Sequence, residues 1–186
     1  MENKFNINEV KALNAILFVL ESLGGHCDFH KIFKILYFAD QKHLALFGLP
    51  ITGDNYIAMK DGPVPSRIYD IFKGLRGEIT DSINLQTYNE VFKIDNRHIV
   101  SGKIKADIEE LSESNIECLT ASIEENKNLN FGQLSDKSHK SAWENAKYNE
   151  MDVIDIALEG GVNEEMVKYI RLNIENQTPI NQHAVR

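Results

Sequence analysis

With 186 residues, 42% hydrophobic and 26% charged, the chain is long enough to bury a real core. One domain over residues 1–176 is expected, with a flexible polar tail over 177–186. The net charge of -8 weighs against a phosphate-tracking surface, because affinity for nucleic acid comes largely from Lys and Arg displacing counterions; it suits solubility and basic partners.

No apolar run approaches the roughly 18 residues of a membrane span; the longest candidate, 12–20, is broken by Asn14. The opening MENKFNINEV has no basic region followed by an apolar core, so no signal peptide is expected and the protein is placed in the cytoplasm. Cys27 and Cys118 are too few for a disulfide scaffold and read as reduced, partly buried thiols.

Asn8 is positioned to cap a first helix, with Glu9 in its first turn. Val10, Leu13, Leu17 and Leu20 recur at helical spacing as one apolar stripe, and Gly24-Gly25 ends it. Asp28 caps a second helix. There Ile32, Ile35, Leu36, Ala39 and Phe47 should face the core, while His30, Lys31, Lys34, Gln41 and Lys42 stay mostly wet. Gly48 stops this helix and Pro50 keeps it from resuming. Joined by the short GGHCD turn, the two make an antiparallel pair or a helix-turn-helix.

Residues 54–60 alternate as a strand does, with Tyr56 and Ala58 opposite Ile57 and Met59. Asp61-Gly62 is a turn. Pro63 and Pro65 fix their own φ angles and push their neighbours to extended geometry, making a stiff loop. Ser66 can cap the next helix, where Ile68, Tyr69 and Phe72 form an apolar face and Gly74 and Gly77 close it. Residues 78–87 carry no clear pattern. Residues 91–94 and 98–100 read as a hairpin about Asp95-Asn96. Ser112 or Ser114 opens a helix with Ile116, Leu119, Ala121 and Ile123. Short helices follow at 131–139, 141–148 and 152–159, the last stopped by Gly160-Gly161. Asn163 starts a final amphipathic helix with Met166, Tyr169, Ile170 and Ile174. The fold class is mainly α, a multi-helix α+β domain with a small antiparallel β element.

Three segments then stand out: Lys34-Ile35-Leu36-Tyr37-Phe38-Ala39-Asp40; Gly48-x-Pro50-Ile51-Thr52-Gly53-Asp54-x-Tyr56-x-Ala58; and Gly62-Pro63-Val64-Pro65-Ser66-x-Ile68-Tyr69. Together they resemble the Panacea domain, the family of SocA-like antitoxins and phage-associated proteins. Leu134-Ser135-x-x-Ser138-His139-x-x-x-x-Trp143 resembles that family's second signature, in the expected order. The resemblance spans roughly residues 8–150, and the combination is specific where a lone GPVP is common loop chemistry. It implies a helical domain that serves as the antitoxin half of a toxin–antitoxin pair and neutralises a neighbouring protein toxin by direct contact. It names no toxin and implies no settled catalytic residues.

The proline loop is the first candidate for partner binding, because pre-organised backbone lowers the ordering cost. Pro63 and Pro65 would present it, with Tyr56 and Tyr69 as contact anchors. The same loop also reads as a corner that sets the angle between strand and helix. Lys34, Tyr37 and Asp40 share one helix side. They would meet the loop or a partner, or else form an ordinary surface charge pair beside a half-buried tyrosine. Gly53, Gly62, Ser138, His139 and Trp143 are read as structural, with Trp143 a core or interface anchor held by Ser138 and His139.

His26, Cys27 and His30 suggest a metal, but no second cluster supplies the four ligands a structural zinc needs. Asp40 and His43 could form an acid–base pair, yet no nucleophile or phosphate cradle stands near them. A helix-turn-helix followed by a hairpin bearing Arg97 and His98 would suit a winged DNA-binding module. Its reading helix, however, carries Asp28 and Asp40 among its lysines and no arginine. The leading expectation is a non-enzymatic antitoxin, without cofactor or metal, that binds a cognate protein toxin. The alternatives are an adaptor that delivers a partner protein to a protease and a winged-helix DNA-binding regulator; neither DNA nor membrane is favoured.

Overall fold

The structure, a computed structural model, describes residues 4–78 and 84–177. The tail from residue 178 onward, and 79–83 within the patternless stretch, lie outside the described residues. The first helix, α1 (Glu9–Ser22), begins where Asn8 accepts a hydrogen bond from Lys11 N, which satisfies one of the N–H groups a helix start leaves open. The GGHCD turn contains a short strand, β1 (His26–Asp28). Asp28 then caps α2 (Phe29–Phe47) by accepting from Lys31 N, and Gly48 closes α2 in left-handed geometry.

After α2 come β2 (Tyr56–Met59), β3 (Gly62–Pro65), α3 (Ser66–Leu75), α4 (Leu85–Val91), β4 (Phe92–Asp95) and β5 (Ile99–Gly102). A 3-10 turn at Ile108–Glu110 leads to α5 (Glu113–Asn126), α6 (Phe131–Ser138), α7 (Ser141–Ala146), α8 (Val153–Glu159) and α9 (Glu164–Asn176). The expected mainly α fold with small antiparallel sheets is therefore found. β1, β5 and β4 form one antiparallel sheet in that order, with Val100 opposite both Cys27 and Ile94. β2 and β3 form a separate hairpin.

α2 is the axis of the molecule. Two apolar cores flank it. Ile32, Phe33, Ile35 and Leu36 pack with residues of α1, α3, α5 and the three-stranded sheet. Tyr37, Phe38 and Leu44 pack with α8, α9 and β2. Between Ile32 and Asp40 every α2 side chain is buried, and each large apolar one, such as Ile35 or Leu36, contributes about 1.5–3 kcal/mol by leaving water. A helix covered on two sides shows no wet stripe, so the expectation that Lys34 stays in solvent fails: it is 0% exposed. Conversely Val10 is 53% exposed and Phe47 39%. The buried face of α1 runs instead through Ala12, Ala15, Ile16 and Val19 as well as Leu17 and Leu20.

The stiff proline segment is not a loop but strand β3. It pairs Pro63 with Ala58 and Pro65 with Tyr56. Ala58 N donates away from β3, to Asn149 O at 2.9 Å, while Met151 N donates to Tyr56 O at 2.8 Å. The polar groups of Tyr56 and Ala58 thus face the other edge of β2. The prolines opposite them occupy ladder positions where no N–H is required. β2 is consequently bonded on both edges, to β3 and to residues 148–151.

Candidate interaction site

Two buried polar residues of α2, Lys34 and Asp40, are organised around this hairpin and the turn before it. The Asp40 carboxylate accepts from Ile51 N at 2.7 Å, Thr52 N at 3.0 Å, Thr52 Oγ1 at 2.7 Å and Tyr56 OH at 2.8 Å. Burial pushes its pKa up and these donors pull it back; such saturation is what makes a buried carboxylate tolerable. Gly53 continues the turn with φ at +72°, and a Cβ there would run into Asn6 O, so only glycine fits. Asp54 then accepts from Arg67 N at 3.0 Å and Ile68 N at 2.9 Å. It caps α3 across the hairpin in place of the expected Ser66, since α3 has no side-chain cap from its own N-terminal neighbour. Burial raises the Asp54 carboxyl to about 6.

Two turns earlier on α2, Lys34 Nζ lies beneath the hairpin and donates to Pro63 O at 2.9 Å. Desolvation pushes its ammonium down to about 7, opposed by the Asp61 carboxylate. Gly62, with φ at +102°, approaches so closely that a Cβ would sit 2.7 Å from Lys34 Cε and collide with Ser138 Oγ. Ser138 Oγ donates to Ser135 O. His139 stacks on Trp143 with ring centroids 3.9 Å apart, and Trp143 Nε1 donates to Met59 O at 2.8 Å. The two sequence signatures, distant along the chain, thus meet at one hairpin. Tyr37 completes the cluster from the other side of α2: it lies edge-on to Tyr56 and its hydroxyl donates to Glu159 Oε1 at 3.2 Å.

Beyond Lys34 the surface opens into a groove of about 990 Å³. Its buried lining is Phe29, Phe33, Lys34, Val64 and Leu134. The rest of the lining includes Tyr69 of α3 and Arg76 at its C-terminal cap, Met59 of β2, Lys60 and Asp61 of the turn, Phe131 of α6 and Tyr148. Phe131 is 54% exposed and Tyr148 70%. His30 stacks on Phe131 with centroids 3.9 Å apart and donates through Nε2 to Asp61 O; burial, then the nearby Lys34, lower its pKa. The Arg76 guanidinium lies over Phe29 and Tyr69, 5.8 and 5.9 Å from their centroids.

Among the residues read as partner-contacting, Lys34, Tyr37, Asp40, Tyr56, Pro63 and Pro65 are all buried, and Tyr69 alone is half-exposed, at the groove. The first six hold the hairpin; the surface they support belongs to residues the sequence did not single out for this role, including Phe131, Lys60 and Tyr148. Asp40 and His43 are not hydrogen-bonded to each other: His43 donates from Nδ1 to Leu49 O at 2.6 Å and accepts from Asn115 Nδ2 at 2.9 Å. His26 is exposed and His30 turns to Asp61. Among the described residues no group of three or more His, Cys, Asp or Glu is placed to hold a metal ion, and no helix is long and apolar enough to cross a membrane.

The family model of the antitoxin SocA-like Panacea domain matches residues 32–144, more than half of the chain. The chain belongs to this family. Searches of the curated proteins and of the solved structures found no match. The Panacea match runs from the first turn of α2 to α7. It therefore contains the Asp40 cluster, the hairpin, Trp143 and most of the groove lining, but not Glu159 of α8 or the whole of α9. Within the Panacea segment, the residues that carry the family resemblance are mainly those that fasten α2, the hairpin and α6–α7 to one another.

Proposed function

We propose that this chain is the antitoxin of a toxin–antitoxin pair, acting in the cytoplasm as a non-enzymatic protein that neutralises a cognate protein toxin by direct binding. The observation that carries the reading is the match of residues 32–144 to an antitoxin domain. The geometry supports binding in a second way. The signature residues build a buried support, tied together by the hydrogen bonds of Asp40, Lys34 and Trp143, beneath an open groove with exposed aromatic side chains, and pre-organised support of this kind lowers the cost of association. Lys34, Tyr37, Asp40, Tyr56, Pro63 and Pro65 act from inside by fixing the hairpin, and Tyr69 acts at the surface.

The test is co-expression with the product of the adjacent reading frame. Growth arrest by that product alone, relieved when this chain is present, is the expected result. Arrest that persists in the presence of the folded chain, or an adjacent product that is harmless, refutes the reading. The half-life of that product separates simple occlusion, which leaves it unchanged or longer, from delivery to a protease, which shortens it.

A further inference from the structure

Basic side chains outnumber acidic ones in the lining of the groove in front of Lys34. The protein carries a net charge of -8, yet the groove lining contains four basic side chains, Lys31, Lys34, Lys60 and Arg76, against two carboxylates, Asp28 and Asp61. Two of those charges are weakly compensated. Lys60 is exposed, and Lys31 Nζ donates to a neutral acceptor, Lys127 O at 2.9 Å, with no carboxylate paired to it among the described residues, whereas Arg76 is ion-paired with Glu78 at 2.8 Å and Lys34 is fully buried. Asp28 already caps α2 through Lys31 N.

Between these cations the surface is apolar and aromatic. Tyr148 is the least comfortable part of it: a bulky side chain, 70% exposed, on a backbone at φ +67°, a conformation that side chains of its size rarely adopt. Its N–H is held by Ala58 O at 2.8 Å, so the ladder to β2 fixes the backbone from which the ring lines the groove. Strand addition is not open at β3, because Pro63 and Pro65 lack the N–H groups an incoming strand would use. Recognition here must run through side chains.

We infer that this groove is the docking site for an acidic segment of the protein partner, with an aromatic or aliphatic side chain seated between Phe131 and Tyr148 and flanking carboxylates facing Lys31 and Lys60. The inference rests on the reading of the chain as a binding protein. A polypeptide fits better than a nucleic acid. The cations are few and clustered about an apolar pocket, whereas a phosphate backbone needs a continuous basic track. An apolar anchor in a pocket ringed by complementary charge is how protein interfaces concentrate their affinity and their specificity.

The experiment has two arms. In the first, Lys60→Glu, Phe131→Ala and the double variant are compared with the wild type in the co-expression assay, with Lys168→Glu on α9 as a charge-reversal control. Loss of protection by the double variant, with the control still protective, is expected. Protection by the wild type and the double variant alike refutes the groove and leaves the antitoxin reading standing. No protection by the wild type refutes the antitoxin reading, and the second arm then decides the groove.

That arm uses purified full-length protein and a fluorescein-labelled hexapeptide with four carboxylate residues around a tryptophan–leucine pair, read by anisotropy. Binding at least about tenfold tighter than to the lysine counterpart, weakened about tenfold by the double variant and weakened as salt rises from about 0.05 to about 0.5 M, is the expected pattern. Equal affinity for both peptides, indifference to the double variant, or tighter binding of a single-stranded oligonucleotide overturns the inference. Circular dichroism melting of each variant shows that the fold is retained.

Discussion

The two ends of the buried stretch of α2 treat polarity in opposite ways. At Asp40 the carboxylate is closed in by four donors from the 51–56 segment and nothing is left over. At Lys34 a buried ammonium has Pro63 O as its hydrogen-bond acceptor and an open groove beside it. The contrast separates two arrangements within one motif: at Asp40 a polar group closed in by donors, and at Lys34 one with a single carbonyl acceptor at the floor of an open groove. Predictions that set the two ends against each other therefore test more than stability alone.

The largest effect is expected at the saturated end. Asp40→Ala strands two backbone N–H groups and two hydroxyls in an interior site, and it should destabilise the protein by about 3–5 kcal/mol. Tyr56→Phe removes only one donor and should cost about 1–2 kcal/mol. Urea unfolding followed by circular dichroism measures both. If Asp40→Ala were as mild as Tyr56→Phe, the carboxylate would not be the organising group and the contrast with Lys34 would collapse.

Next in size is the contact between the two signatures. Gly62→Ala places a methyl against Ser138 Oγ and Lys34 Cε on a backbone at φ +102°, and should cost about 2–4 kcal/mol. Ser138→Ala relieves the first clash but not the backbone strain. The double variant should therefore be more stable than the sum of the single changes implies. Strict additivity would mean that the hairpin turn and α6 are not in contact.

Much of this frame was legible in the sequence, and what was not has a common cause. Asn8, Asp28, Ser112 and Asn163 were readable as caps because capping is a local event among neighbours. Asp54 was not readable as the cap of α3, because it reaches Arg67 N and Ile68 N from across a hairpin. β3 reads as a loop in the sequence because prolines look like loop residues until the bonding direction of the opposite strand is known. Residue type alone places Lys34 in solvent. The usable signal was the run IFKILYFAD, which offers no polar face at all and so describes a helix buried all round. The groove was the least legible feature, since its lining comes from α2, the hairpin, α3, α6 and Tyr148, and no local pattern joins them.

Lys34 also distinguishes the two ends by pH. Its folded pKa, about 7 against an ordinary 10.5, means that between those values the unfolded chain binds more protons than the folded one. Stability from this group therefore rises with pH across that window, by up to about 1.4 kcal/mol per unit for one proton. Below pH 7 both states are protonated and its contribution is flat. Lys34→Met removes the titration, so the wild-type minus variant difference in unfolding free energy should climb between pH 7 and about 10. Asp54 works in the other direction at lower pH. With its carboxyl raised to about 6 from 3.8, the folded state binds the extra proton, and its contribution falls as pH rises through that interval. A flat difference curve for Lys34→Met would show that the ammonium is hydrated in the folded state.

The smallest effects on stability should come from the groove wall, and there the absence of an effect is informative. Trp143→Phe, behind the wall, loses one hydrogen bond to Met59 O and should cost about 1 kcal/mol. Phe131→Ala removes a ring that is 54% exposed and should stay within about 0.5 kcal/mol of wild type. A near-neutral effect on stability beside a loss of protection by the groove variants would place the role of this ring in binding rather than in the fold. If Phe131→Ala instead unfolded the protein as Asp40→Ala does, the stack with His30 would belong to the core, and the division between the closed and open ends of α2 would have to be redrawn.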